Sequence, residues 1–250
     1  MDLASHLPPR LRQTLLTVER PDAQRLFATG AAQLDELLGG GLARGALHEV
    51  YAETAPDSAT AAGFTLALAM RAARDRAIVW ARQDYAGVEA GGLYGPGLAA
   101  LGFDPARLIL VEARDVLGVL RAGAEAARCP AVGAVLMEPW GEAKALDLTA
   151  SRRLALAAAQ SDVTVFLTRA AATPRPSAAA SRWSVRPRRS RPMEADAPGW
   201  PAFALTLLRH RAGLSRQTFD VEWDGDRCVF ADLAPLSGSV AAVPAGGAVV

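Results

Sequence analysis

ALHEVY (46–51), AIVWA (77–81), RLILVEA (107–113), AVGAVLMEPW (131–140) and VTVFLTR (163–169) are compact apolar runs that recur along the chain. Between them lie stretches with helical spacing. Runs apolar on both faces belong to strands covered on both sides, as in a parallel sheet. TAAGFTLALAMRAARD (60–75) sets Phe64, Leu68 and Arg71 at helical spacing, and Leu66 and Met70 extend the apolar side. DVLGVLRAGAEAARC (115–129) reads as a helix capped by Asp115, and LTASRRLALAAAQSD as another. This alternation predicts an α/β fold, a mostly parallel central sheet flanked by helices. After Arg169 the character changes. Residues 170–201 are rich in Ala, Pro, Ser and Arg, which predicts a flexible Arg-rich loop. FALTLLRHR (203–211) and QTFDVEWDGDRCVF (217–230) restore strand character, and the DGD turn makes the last piece a C-terminal β-hairpin.

The 250 residues suit one such domain with appendages. Residues 1–25, with the amphipathic stretch LRQTLLTVE, are expected to form an N-terminal helix or arm. Residues 26–230 form the core. Residues 231–250 read as a disordered low-complexity tail, with no charge after Asp232. A net charge of +1 gives no global basic field toward nucleic acid. Cys129 and Cys228 match no metal or redox spacing, and His6, His48 and His210 share no motif, so no metal or cofactor is expected. No apolar signal core and no membrane-length run occur, which places the protein in the cytoplasm.

EVYAETAPDSATAAG (49–63) sits where such folds carry a phosphate-binding loop, between a strand and a helix. A working G-x-x-x-x-G-K-[ST] loop uses glycines to wrap backbone N–H groups around phosphate. Its lysine meets the terminal charges, and its hydroxyl holds Mg²⁺. Counting from the strand puts Ala52, Asp57, Ser58 and Ala59 at those places. Asp57 sets a carboxylate where phosphate would sit, and like charges repel. A shift of register supplies no lysine, because Lys144 is the only one in the chain.

ATGAAQLDELLGGGLARGALHEVYA resembles the entry to the RecA core. AIVWARQDY resembles the RecA strand that ends in a catalytic glutamate, a place held here by Gln83. AVGAVLMEPW resembles the second nucleotide-binding strand, with Glu138 at or near its aspartate. LYGPGLAALGFDPARLILVEA, PWGEAKALDLTASRRLALAAAQS and the late SRW and LLRHR pieces resemble the ImuA family, RecA-like accessory proteins of the bacterial SOS mutasome. The resemblance spans roughly residues 26–230. It implies a RecA-like core and a role in error-prone translesion DNA synthesis. The implied partners are an ImuB-like Y-family polymerase homologue, a DnaE2-type polymerase and RecA. RecA-type hydrolysis needs a loop lysine, a Mg²⁺-holding hydroxyl and a water-orienting glutamate. Ser58, Ala59 and Gln83 stand in those regions, so a non-catalytic scaffold is expected. Rival readings are a SulA-like cell-division inhibitor, a RecA-filament regulator and a RecA-type DNA-dependent ATPase.

Two further features concern binding. Glu138, at the end of an apolar strand, reads either as a metal-side acid or as a solvent-facing strand end. From Arg169 to Met193 there are seven arginines and no acid. Arg182, Trp183, Arg186, Arg188, Arg189 and Arg191 are candidates for single-stranded DNA, since arginines near an aromatic suit a phosphate backbone with base stacking.

Overall fold

A computed structural model describes residues 25–233, Pro198 apart. The expected N-terminal helix or arm lies outside these residues but for Arg25, and the predicted tail lies outside them from 234 onward.

A short ribbon, β1 (Leu26–Phe27) with β2 (Leu42–Ala43), and helix α1 (Ala32–Leu37) precede the core. The entry sequence ATG…LD has a direct structural use. Asp35 accepts hydrogen bonds from Thr29 N (2.8 Å), Thr29 Oγ1 (2.8 Å) and Gly30 N (2.9 Å). Gly41 (φ +124°) lets the chain pass Phe27; a Cβ there would sit 2.1 Å from the Phe27 carbonyl oxygen.

The core elements follow in order: β3 (Leu47–Ala52), α2 (Ser58–Ala73), β4 (Ala77–Gln83), α3 (Asp84–Ala90), α4 (Gly95–Ala100), β5 (Leu108–Ala113), α5 (Val116–Ala126), β6 (Val132–Glu138), α6 (Leu148–Ser161) and β7 (Thr164–Arg169). Four strands complete the sheet: β8 (Ser181–Arg188), β9 (Ala202–His210), β10 (Gln217–Asp224) and β11 (Val229–Asp232). Among the described residues they form one nine-stranded sheet in the order β11-β10-β9-β8-β3-β7-β6-β4-β5. It is parallel from β8 to β5 and antiparallel from β8 to β11. The α/β reading and the C-terminal hairpin both stand.

Strand alternation divides the core in two. Ile78, Trp80, Leu136 and Phe166 face α2, with Phe64 and Leu68. Val79, Ala81, Val135, Met137, Val165 and Leu167 face α5 and α6, with Val119 and Leu154. Helix α2 sits so close to β6 that a Cβ on Gly133 would meet Ala73 Cα at 2.6 Å. Asp115 caps α5, accepting from Gly118 N at 2.7 Å, as its sequence position indicates.

Two boundaries differ from the sequence reading. Residues 170–201 are not loop throughout, because Ser181–Arg188 is strand β8, paired with β3 and β9. Trp183 and Val185 alternate into the core there, a period of two hidden among prolines and arginines. The core also runs past residue 230: β11 continues to Asp232, and Leu233 is buried.

Candidate functional site

The site implied by the fold lies where β3, β4, β6 and β7 end, the edge at which open α/β sheets hold ligands. Its phosphate loop is short: only Glu53–Asp57 separate β3 from α2, and Ala55–Asp57 form a 3₁₀ turn. A capping box closes it. Asp57 Oδ2 accepts from Thr54 N (3.0 Å) and Thr54 Oγ1 (2.7 Å), and Asp57 N donates to the Thr54 carbonyl (3.0 Å). Glu53 N donates to the Val185 carbonyl (3.0 Å), and Ser58 N donates to the Ala55 carbonyl. Pro56 has no N–H to offer. The amides of Glu53, Thr54, Asp57 and Ser58 are thus spent within the protein, and Asp57 places its own carboxylate in the turn. Ser58 is buried and Ala59 carries no hydroxyl, while Ala52 ends β3 inside the core.

Glu138 is neither a solvent-facing strand end nor an open acid. It is 2% exposed. Its Oε2 accepts from Arg82 Nε (2.9 Å) and Trp80 Nε1 (3.0 Å). Arg82 lies directly opposite Glu138 in the β4–β6 register. The same guanidinium donates to the carbonyls of Gly91 (2.7 Å) and Ala86 (3.1 Å), fastening α3 to the sheet. Burial pushes the Glu138 carboxyl above the usual range, against the pull of Arg82 and the Trp80 indole. A divalent cation approaching Glu138 would meet a guanidinium already held on that carboxylate. Gln83, at the catalytic-glutamate place, spends its Oε1 on Trp140 N (3.0 Å) and so ties β4 to the segment after β6.

A second buried pair lies on the other face. Arg182 Nε meets Glu49 Oε2 at 2.8 Å, again directly opposite in register, across β8 and β3. Tyr51 Oη donates to the same oxygen at 3.3 Å. Burial, then the Glu49 charge, pushes the Tyr51 phenol up to about 12. Glu49 is therefore a satisfied structural carboxylate, as its place within the first strand indicates.

His48 completes a buried chain on β3. Its Nε2 lies 2.8 Å from the Ala43 carbonyl and its Nδ1 2.7 Å from Ser181 Oγ, which accepts from Trp183 Nε1 at 2.8 Å. Burial lowers the His48 pKa to about 4, a neutral ring with both nitrogens used.

The DNA candidates do not gather into one basic surface. Trp183 is 1% exposed and has no face for a base. Arg182 is held by Glu49. Arg186 meets Glu53 at 3.4 Å and Arg188 meets Asp220 at 2.9 Å. The Arg191 guanidinium donates to the Asp232 carbonyl at 3.2 Å, while Arg189 is exposed. A groove of about 440 Å³ beside α2, between Gly63, Met70, Trp200 and Phe203, has Arg188 as its one charged lining residue among the described residues. Among the described residues, no group of three or more His, Cys, Asp or Glu is placed to hold a metal ion. Cys129 and Cys228 are both free.

The sequence reading missed Arg82. Its signal was one charge at the end of an otherwise apolar run, AIVWAR, matched by an opposite charge at the end of AVGAVLME.

Two relatives settle the family. Protein ImuA of Caulobacter vibrioides, from strains NA1000 / CB15N and ATCC 19089 / CIP 103742 / CB 15, is 38% identical over 193 residues. The match covers 70% of this chain and 74% of each relative. The chain belongs to the ImuA family. No family model matches it. Among solved structures, the RadB recombinase resembles this ImuA-family chain with a TM-score of 0.52 at 16% identity. That likeness covers 84% of this chain and 100% of the other, and it shows the RecA-like fold. No helix among the described residues is long and apolar enough to cross a membrane.

Proposed function

We propose that this ImuA-family protein is a non-catalytic, RecA-like scaffold in SOS-induced error-prone translesion synthesis. It bridges an ImuB-like Y-family polymerase homologue, a DnaE2-type polymerase and RecA in the cytoplasm. The observation that carries the non-catalytic half is the Arg82–Glu138 pair, which occupies the acid that would hold Mg²⁺. The inward-turned loop at Asp57 supports the same reading.

Support for a binding role comes from the far edge of the sheet. Among the described residues, strand β5 pairs with β4 alone. Ile109 (52% exposed) and Leu110 (42%) lie on it, and Tyr85 and Val88 on α3, Tyr94 just before α4 and Leu117 on α5 are exposed as well. Natural proteins usually blunt such an edge with charge, proline or a bulge. A free edge that keeps its apolar side chains suits an added strand from a partner.

Size-exclusion chromatography of the full chain with the ImuB-like homologue tests the proposal. Co-elution is expected, weakened by Ile109→Lys. Separate elution of the unaltered proteins would contradict it. Filamentous cells on overexpression, with binding to the division tubulin homologue, would favour the SulA-like reading instead.

A further inference from the structure

The arginines forecast to meet DNA are largely neutralised, whereas another set is not. Of the eight ion pairs among the described residues, three hold the candidates Arg182, Arg186 and Arg188, and a fourth holds Arg175 of the same segment. At the opposite edge of the sheet, where the parallel strands begin, Arg44, Arg74, Arg107, Arg209, Arg211 and Arg216 have no carboxylate within 4.0 Å among the described residues.

Topology places them together. Arg44 precedes β3, Arg74 follows α2, and Arg107 precedes β5. Because β9 runs antiparallel to β8, its last residues reach the same edge, with Ser181 opposite His210. Arg209 and Arg211 flank that point, and Arg216 enters β10 from it. From β5 to β9 there are six strand spacings, about 30 Å at about 4.8 Å each.

Several acids lie near these arginines: Asp224 and Asp226 act on Cys228 together with Arg107, and Asp224 lies 3.9 Å from Arg227. Glu125 is taken by Arg128 (2.7 Å), Asp162 lies 3.9 Å from Arg76, and Asp104 accepts from Ala106 N (2.9 Å). Asp75 is exposed beside Arg74 and Arg76. Arg44 and Arg107 rest on carbonyls at the end of α2, those of Ala72 and Arg74, which fix their position and offset part of their charge. The crowding is felt: burial, then Arg74, with Arg76 and Arg71 adding to it and Asp162 opposing, holds the Arg44 pKa down at about 10.

We infer that this edge, where the parallel strands begin, is a binding surface for the phosphodiester backbone of nucleic acid. Arg44, Arg74 and Arg107 gather at the end of α2, and Arg209, Arg211 and Arg216 at the β9–β10 connection; two groups of planar guanidinium forks match a repeating phosphate rather than a single anion. The ring under Arg44, Phe27, is buried, and no exposed aromatic among the described residues joins the six, so binding is to the backbone, without base stacking and without sequence preference. The choice of nucleic acid over another polyanion rests on the DNA-synthesis role proposed above.

Fluorescence anisotropy of the full chain with a labelled single-stranded oligonucleotide and its duplex, over a range of salt, tests the assignment. Binding should weaken with salt by about 0.7 to 0.9 log units per phosphate neutralised, per log unit of salt. Arg74→Glu/Arg211→Glu should weaken it about tenfold or more and flatten the slope by about one for each phosphate no longer held, with an unchanged melting temperature. Arg74→Gln/Arg211→Gln should weaken it in the same direction by less. Either oligonucleotide form binding best supports the surface and identifies its source. Loss in Arg186→Glu/Arg189→Glu, with normal binding by Arg74→Glu/Arg211→Glu, would move the surface to the other edge and overturn the inference. Equal competition by polyglutamate would overturn the assignment to nucleic acid. A chain that binds neither oligonucleotide yet co-elutes with the ImuB-like homologue would overturn it and leave the scaffold standing.

Discussion

Arg82 and Glu138 face each other across β4 and β6 at 2.9 Å, inside the sheet, at the place where a RecA-type core would hold its metal-side acid. The charge that would bind a cation is bound by a cation of the protein's own. The same guanidinium also holds the carbonyls of Ala86 and Gly91, so the pair ties α3 to the sheet.

Removing one partner of this pair should be costly. Arg82→Met leaves a buried carboxylate unpaired and should destabilise the fold by about 3–5 kcal/mol. The double variant Arg82→Met/Glu138→Leu should recover most of that loss, since an apolar pair of similar volume replaces two buried charges. Urea denaturation of the single and double variants measures both. Equal losses in the two would mean that the pair is not the unit.

The arginines of the 182–191 stretch should separate by role. Arg182→Ala strands buried Glu49 and should cost about 3–5 kcal/mol. Arg189→Ala, exposed and without a carboxylate partner among the described residues, should stay within about 0.5 kcal/mol. Thermal melts of the two variants, side by side, check the difference.

Acid should weaken the fold through His48. Its folded pKa is lowered to about 4, against 6.5 for a free histidine. Above pH 6.5 both states are neutral and the ring contributes no pH dependence. As pH falls from 6.5 to 4, the unfolded chain takes up a proton that the folded chain refuses, so stability falls. The loss levels below about 4 and totals about 3 kcal/mol. His48→Gln should cost stability at pH 7 yet lose this one-proton slope, so its deficit should shrink toward pH 4. A constant deficit in urea titrations across that range would contradict the assignment.

The loop at Asp57 should be structural too. Asp57→Ala removes the capping box and should cost about 1 kcal/mol. Ser58→Lys should not create nucleotide binding, because Pro56 and the inward amides still offer no cradle. Calorimetry with Mg-ATP on Ser58→Lys reads this directly.

Much of this fold is legible in the chain because parallel strands buried on both faces write unbroken apolar runs, such as AIVWA and VTVFLTR. The Asp115 cap is equally local. Strand β8 is less so: Trp183 and Val185 alternate correctly, yet prolines and arginines around them carry the stronger loop signal. The buried pairs are hidden for another reason. Arg82–Glu138 and Arg182–Glu49 are separated by 56 and 133 positions and meet only through strand register. A count of arginines cannot reveal which are spent on carboxylates, and so the segment richest in arginine is not the surface with the most unpaired charge.

The most direct measurement is Mg-ATP binding to the purified chain by calorimetry, with a single-stranded-DNA-stimulated hydrolysis assay on the same sample. No saturable heat and no turnover are expected, with Arg82 holding Glu138 and the loop amides turned inward. Saturable binding with turnover that disappears in Glu138→Ala would contradict the account, since Glu138 would then have to leave Arg82 and serve the nucleotide.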